Sequence, residues 1–164
     1  ETISASWRFT NQGFGLKPGH WAQADLTTFS VAHPSDFAFQ SQGDWQRFVA
    51  DGRTFVALRV TDETRPSDEV LAALLRDARA GVADFQAGEP FAFPLGGEVW
   101  QRVDVGYTAV DGTEIWGFIM VRLAAGQEIV AWAEAPAATF SQLETAVFLN
   151  IIADMRIADM RLDG

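Results

Sequence analysis

Residues 98–135 constrain the fold more than any other stretch of this chain. Three runs with strand character, 98–110, 113–123 and 127–135, are separated by Asp111-Gly112 and Ala125-Gly126. Pairs ending in glycine suit tight turns whose central residues take positive φ, and such turns join antiparallel neighbours. The middle run carries Trp116, Phe118 and Met120 at one parity and Ile115, Ile119 and Val121 at the other. Successive side chains point to opposite faces of a sheet, so this strand needs cover on both. A meander of this kind requires helices or loops packed on each side.

The rest of the chain can supply that cover. Residues 6–10 (SWRFT) alternate and run into Asn11-Gln12-Gly13 and a Gly/Pro-punctuated loop to Gly19. Residues 26–33 put Phe29 and Val31 on one face, Pro34 ends the run, and Phe37 and Phe39 alternate through a short extended piece. Residues 45–50 and 53–60 flank Asp51-Gly52, a hairpin signal. Pro66 then breaks the pattern, Ser67 is placed to cap a helix, and Asp68 and Glu69 favour the positive end of its dipole. Leu71, Leu74, Leu75, Ala78, Val82 and Phe85 fall on one stripe, which predicts a helix over 68–86, stopped by Gly88 and Pro90. After the meander, Thr139 or Ser141 can cap a last helix over 139–154 with Phe140, Leu143, Val147, Ile151 and Met155 on its apolar face. The order is strands, helix, strands, helix, without alternating βαβ units. That predicts an α+β fold: an antiparallel sheet with helices on both faces, an α/β/α sandwich.

At 164 residues the chain fits one domain. We expect its core over about residues 26–157, with 1–25 an N-terminal extension and 158–164 a tail. The end is unusual: residues 152–156 (IADMR) recur at once as 157–161. A five-residue period matches neither helix nor strand, so the second copy reads as a frayed extension, or else as an arm that docks on a partner. The net charge is −10, which repels phosphate backbones and anionic headgroups and argues against nucleic-acid partners. Cysteine is absent, which removes disulfides, thiol nucleophiles and thiolate metal sites. No apolar run reaches the ~18–20 residues of a membrane span. The chain begins at Glu1 without methionine, which we read as a removed segment: a signal peptide or lipoprotein leader, a tag, or a domain excision.

No motif for catalysis stands out. Gly13-Phe14-Gly15-Leu16-Lys17-Pro18-Gly19 resembles a phosphate loop, but the last glycine is one residue late and Pro18 prevents a helix opening there. His20 and His33 are the two histidines, without metal-ligand spacing. His33 reads as a hydrogen-bonded residue at a strand end, with a surface metal site shared with Asp36 as the alternative. The acids Asp62, Glu63, Asp68 and Glu69 lack the spacing of a calcium loop, and no serine sits in a GxSxG elbow. We therefore expect no enzyme, no cofactor and no metal site. The candidates for contact with a partner are aromatic: His20 with Trp21 in the early loop, and Trp100, Trp116 and Trp132, which with Phe118 could line one face of the meander. Burial within the molecule is the competing expectation for that set.

The run Phe29-Ser30-Val31-Ala32-His33-Pro34-Ser35-Asp36-Phe37 resembles the opening F/Y-S-hydrophobic-x-x-P-x-x-W/F of PsbP/Mog-type domains. The Asp51-Gly52 hairpin, the strand 54–60, the helix 68–86, the segment Gly97-Glu98-Val99-Trp100 and the last helix follow in that group's order, over residues 26–157. Phe37 stands where the group has Trp, and the Trp7–Trp21 segment lies outside the shared core. The resemblance implies a sheet between helices used as a non-enzymatic accessory subunit or adaptor. Its members include an extrinsic photosystem subunit, a nuclear-transport GTPase-binding protein, bacterial lipoproteins and chaperone-like adaptors. It implies no particular binding residue, since those proteins use different surfaces. On this reading the chain is an extracytoplasmic domain (periplasmic or cell-surface, free or lipid-anchored through a removed N-terminus) that docks on a larger membrane-associated protein assembly, with a cytoplasmic location as the alternative. An adaptor that cradles apolar segments of a client, or a small-ligand or lipid binder, is the alternative.

Overall fold

The hairpin at Asp51-Gly52 and the meander of residues 98–135 form one continuous antiparallel sheet. A computed structural model describes residues 21–157. In chain order the strands are β1 (Trp21–Asp25), β2 (Phe29–Pro34), β3 (Ala38–Gln42), β4 (Trp45–Asp51) and β5 (Thr54–Thr61). Helix α1 (Ser67–Gly81) follows, then β6 (Gln86–Ala87), β7 (Phe91–Leu95), β8 (Glu98–Thr108), β9 (Glu114–Ala124) and β10 (Gln127–Pro136). The last helical stretch is α2 (Ala137–Leu143), a π-helical turn over Glu144–Phe148 and α3 (Leu149–Asp154), with β11 (Arg156–Ile157) after it. The main sheet has the order β3-β4-β5-β10-β9-β8-β6, with β7 also paired to β8, and a small second sheet has the order β1-β2-β11.

Two apolar layers hold these pieces together. On one face of the main sheet, Phe48, Val56, Leu58, Trp100, Phe118, Met120 and Ile129 meet Phe29 and Val31 of β2 and Phe140, Val147, Phe148 and Ile151 of the last helix. On the other, Val70, Leu71 and Leu75 of α1 pack on Val103, Ile119, Val121 and Val130. The expected cover on both faces of β9 is therefore present, and Ile119, Met120 and Val121 are all fully buried. Helix α1 lies over β8 and β9. Across β4 and β5 on that side, arginines lie over aromatics: Arg47 sits 4.5 Å from the Phe55 ring centroid and Arg59 4.8 Å from that of Trp45.

Several boundaries differ from expectation for local reasons. Helix α1 ends at Gly81, not at residue 86, and Val82 is already extended (φ −132°). Val82 and Phe85 still pack on the α1 layer, from a turn rather than from the helix. Ser67 is the first helical residue and Pro66 holds the cap position without a side-chain cap bond, its preset φ serving a helix start. Likewise the last helix begins at Ala137 behind Pro136, and Thr139 donates its hydroxyl to the Pro136 carbonyl instead of capping. Trp21, expected in an extension, lies in β1 and pairs with Pro34 of β2. The second IADMR copy opens with a buried residue: Ile157 pairs with Phe29 of β2 and is 6% exposed. The expected strand at residues 6–10, the glycine loop of residues 13–19, His20 and residues 158–164 lie outside the described residues.

Candidate partner-binding site

The four described tryptophans singled out above occupy four different settings. Trp21 is half-buried at the edge of the small sheet. Trp100 is a core residue at 3% exposure. Trp132 points to the α1 side of the sheet, where its ring meets Trp45 edge-on at 6.2 Å. Trp116 alone is substantially open, at 43%. The expectation that Trp100, Trp116, Phe118 and Trp132 share a face fails at Trp132, because the two-residue turn fixes Trp132 opposite Ile119 and so on the parity of Ile115 and Val121.

Trp116 stands in a cleft of about 680 Å³ between the C-terminal half of β8, the start of β9 and helix α2. Its ring packs against Phe140 (6.4 Å between centroids, near-perpendicular), which in turn meets Phe118 and Phe148. Gly106 lies opposite Trp116 across the β8–β9 pair and leaves the indole uncovered from that side. Four carboxylates line the cleft: Asp84, Asp104, Glu114 and Glu144, against one arginine, Arg102. Arg102 is buried between Phe93 and Phe118 at 4.7 and 4.5 Å. Its Nε donates to Asp104 at 2.7 Å, and a terminal nitrogen lies 2.7 Å from Glu144. A guanidinium held on both sides by rings and at both ends by carboxylates is a fixed strut. It ties β8 to the π-helical turn, whose first residue is Glu144. Single π turns inside helices commonly occur at functional sites. The cleft thus offers an open indole in an acidic frame, suited to a cationic and partly apolar group.

At the same end of the sheet, on its α1 side, Tyr107 donates to Glu134 Oε1 at 2.6 Å and the Trp132 indole to Oε2 at 2.9 Å. Burial raises the Glu134 carboxyl above its ordinary value, and both hydrogen bonds oppose the rise. Burial, then the bond to Glu134, likewise raises the Tyr107 phenol.

No family model matches the sequence, and no curated protein matches it. Solved structures do. The cyanobacterial PsbP (CyanoP) of Synechocystis superposes with a TM-score of 0.63 at 12% identity, over 90% of this chain and 98% of that one. The chain has a PsbP-like fold. LpqN, involved in cell envelope biogenesis of Mycobacterium tuberculosis, matches with a TM-score of 0.45 at 14% identity, over 84% of this chain and 91% of that one.

Within this PsbP-like fold, the residues that carried the resemblance serve packing. Phe29, Val31 and Phe37 are buried in the larger apolar layer. His33 is buried too: its ring lies 4.6 Å from that of Phe48, and Nδ1 donates to the Pro34 carbonyl at 2.8 Å. No group of three potential metal ligands occurs among the described residues, and no helix among them is long and apolar enough to cross a membrane. The residues that shape the PsbP-like fold's clefts, Arg102, Glu144 and Arg122, were not signalled by sequence. Arg102 and Glu144 meet across β8 and the π-helical turn, and Arg122 has its nearest described carboxylate, Glu98, on another strand, so none of these pairings follows from local sequence.

Proposed function

We propose that this chain is a non-enzymatic accessory domain, placed outside the cytoplasm, that docks on a larger membrane-associated protein assembly. The docking site is the acid-framed cleft around Trp116. The observation that carries this reading is the 43% exposed indole among four carboxylates. Tryptophan is enriched among interface hot spots, and in this frame it selects a basic segment of the partner, its Lys or Arg stacking on the ring. The PsbP-like fold supports a binding role without naming the partner.

The test uses the domain as bait on solubilised native membranes, wild type beside Trp116→Ala. Stoichiometric capture of a membrane complex by the wild type, weakened at least about tenfold in the variant, is the expected result for a hot-spot truncation. Equal capture by both would move docking away from this cleft, and no capture by the wild type would remove the proposal.

A further inference from the structure

A second cleft opens on the same face at the other end of β8 and β9. It encloses about 690 Å³, within the range of small-molecule sites. Its floor is Trp100, with the guanidinium of Arg122 lying 5.1 Å from the ring centroid. Apolar walls come from Leu26 of the β1–β2 turn, Phe29 of β2, Leu95 at the end of β7, and Ile152 and Met155 at the end of α3.

Arg122 is poorly answered for a buried charge. Its side chain is 12% exposed, the nearest carboxylate oxygen among the described residues (Glu98) is 3.7 Å away on a residue that is itself 56% exposed, and its Nε is buried with no acceptor among the described residues. A guanidinium withdrawn from water needs acceptors in its own fork geometry, and burial accordingly pulls this group below its ordinary value. A carboxylate or a phosphodiester supplies a matching pair of oxygens. Arg156 adds a second positive group to the lining, while exposed Asp25 and Glu98 lie there as well and disfavour a multiply charged ion.

We propose that this cleft binds an amphipathic monoanion, its carboxylate or phosphodiester head on Arg122, which covers Trp100, and its apolar body against the accessible lining residues Leu26, Leu95 and Ala153. The site is separate from the docking cleft and does not depend on it.

Calorimetric titration of the intact chain with decanoate, dihexanoyl phosphatidylglycerol and decanol tests this, with the Trp100 indole N–H resonance followed by NMR. The expected result is that at least one anion binds about tenfold or more tighter than decanol, as a charge-assisted pair requires, and shifts the Trp100 signal. Which anion binds tighter identifies the head group. Arg122→Met keeps the aliphatic cover over Trp100 and should bring the anion down to the decanol level while leaving decanol unchanged. If that variant does not fold, Arg122→Lys retains a point charge without the fork and should still reduce the anion-to-decanol ratio. Ser30→Leu, which narrows the cleft without changing charge, should weaken all three ligands. Anions binding no better than decanol, a ratio unchanged by both Arg122 variants, or a Trp100 resonance that does not move would each overturn the proposal. Trp116→Ala should leave every one of these values unchanged.

Discussion

At the scale of single residues, the most exacting arrangement is Glu134 with its two donors. The carboxylate fits only because residue 117 is glycine: a Cβ there would come within 2.9 Å of Glu134 Cγ and closer still to the Ala133 carbonyl. Burial raises the Glu134 carboxyl, so the folded state holds that proton more tightly than the unfolded chain does. The stability this contributes is complete below the ordinary value of 4.5, and is lost as pH rises through the raised folded value. The Tyr107 bond works in the opposite sense, because it favours the ionised form. Tyr107→Phe should therefore cost about 1–3 kcal/mol near neutral pH, where the buried carboxylate loses a donor, and distinctly less at about pH 4. Urea unfolding of both proteins at the two pH values measures the difference. A penalty equal at both would mean that the phenol contributes packing alone.

At the scale of elements, the C-terminal strand shows how far sequence reading reaches. The repeat of IADMR offers no period that a helix or strand could follow, so the second copy reads as loose. Yet Ile157, its first residue, closes the small sheet against β2 and lines the Arg122 cleft. Ile157→Ala should lower stability by about 2–4 kcal/mol, the cost of truncating a buried aliphatic side chain, as read by thermal unfolding. A change within about 0.5 kcal/mol, the usual range for a surface site, would return that residue to the frayed tail. The meander, the Asp51-Gly52 hairpin and both helices were legible because period and turn chemistry are local. Trp132 was misplaced for want of register: with Gln127 opposite Ala124 across a two-residue turn, parity alone puts it beside Ile119. Gly43-Asp44 turns β3 into β4, with Gly43 at positive φ, a turn signal as local as the other glycine-containing pairs. Arg102 and Arg122 were not readable: Asp104 is near Arg102 in sequence, but the rings that cover both arginines, and Glu144 and Glu98, lie on other elements.

At the scale of the whole molecule, charge sets two effects in opposition. A net charge of −10 makes the folded surface repel itself, and the Trp116 cleft concentrates that sign with four carboxylates around one arginine. Salt relieves such repulsion, because exposed charges more than about 10 Å apart are largely screened at 0.1 M. Raising the ionic strength from about 10 to about 150 mM should therefore raise the unfolding temperature of the isolated domain by a few degrees. The same change should weaken docking, since a basic partner segment reaches the acidic cleft by the attraction that salt removes, and most of the loss should appear in the association rate. Burial of the Trp116 ring is much less affected by salt, so part of the affinity should persist and vanish only with Trp116→Ala. Thermal melts and binding kinetics in one salt series separate the possibilities. A stabilised domain whose docking is unchanged by salt would place the partner on an uncharged surface, leaving the acid-framed cleft without the role proposed for it.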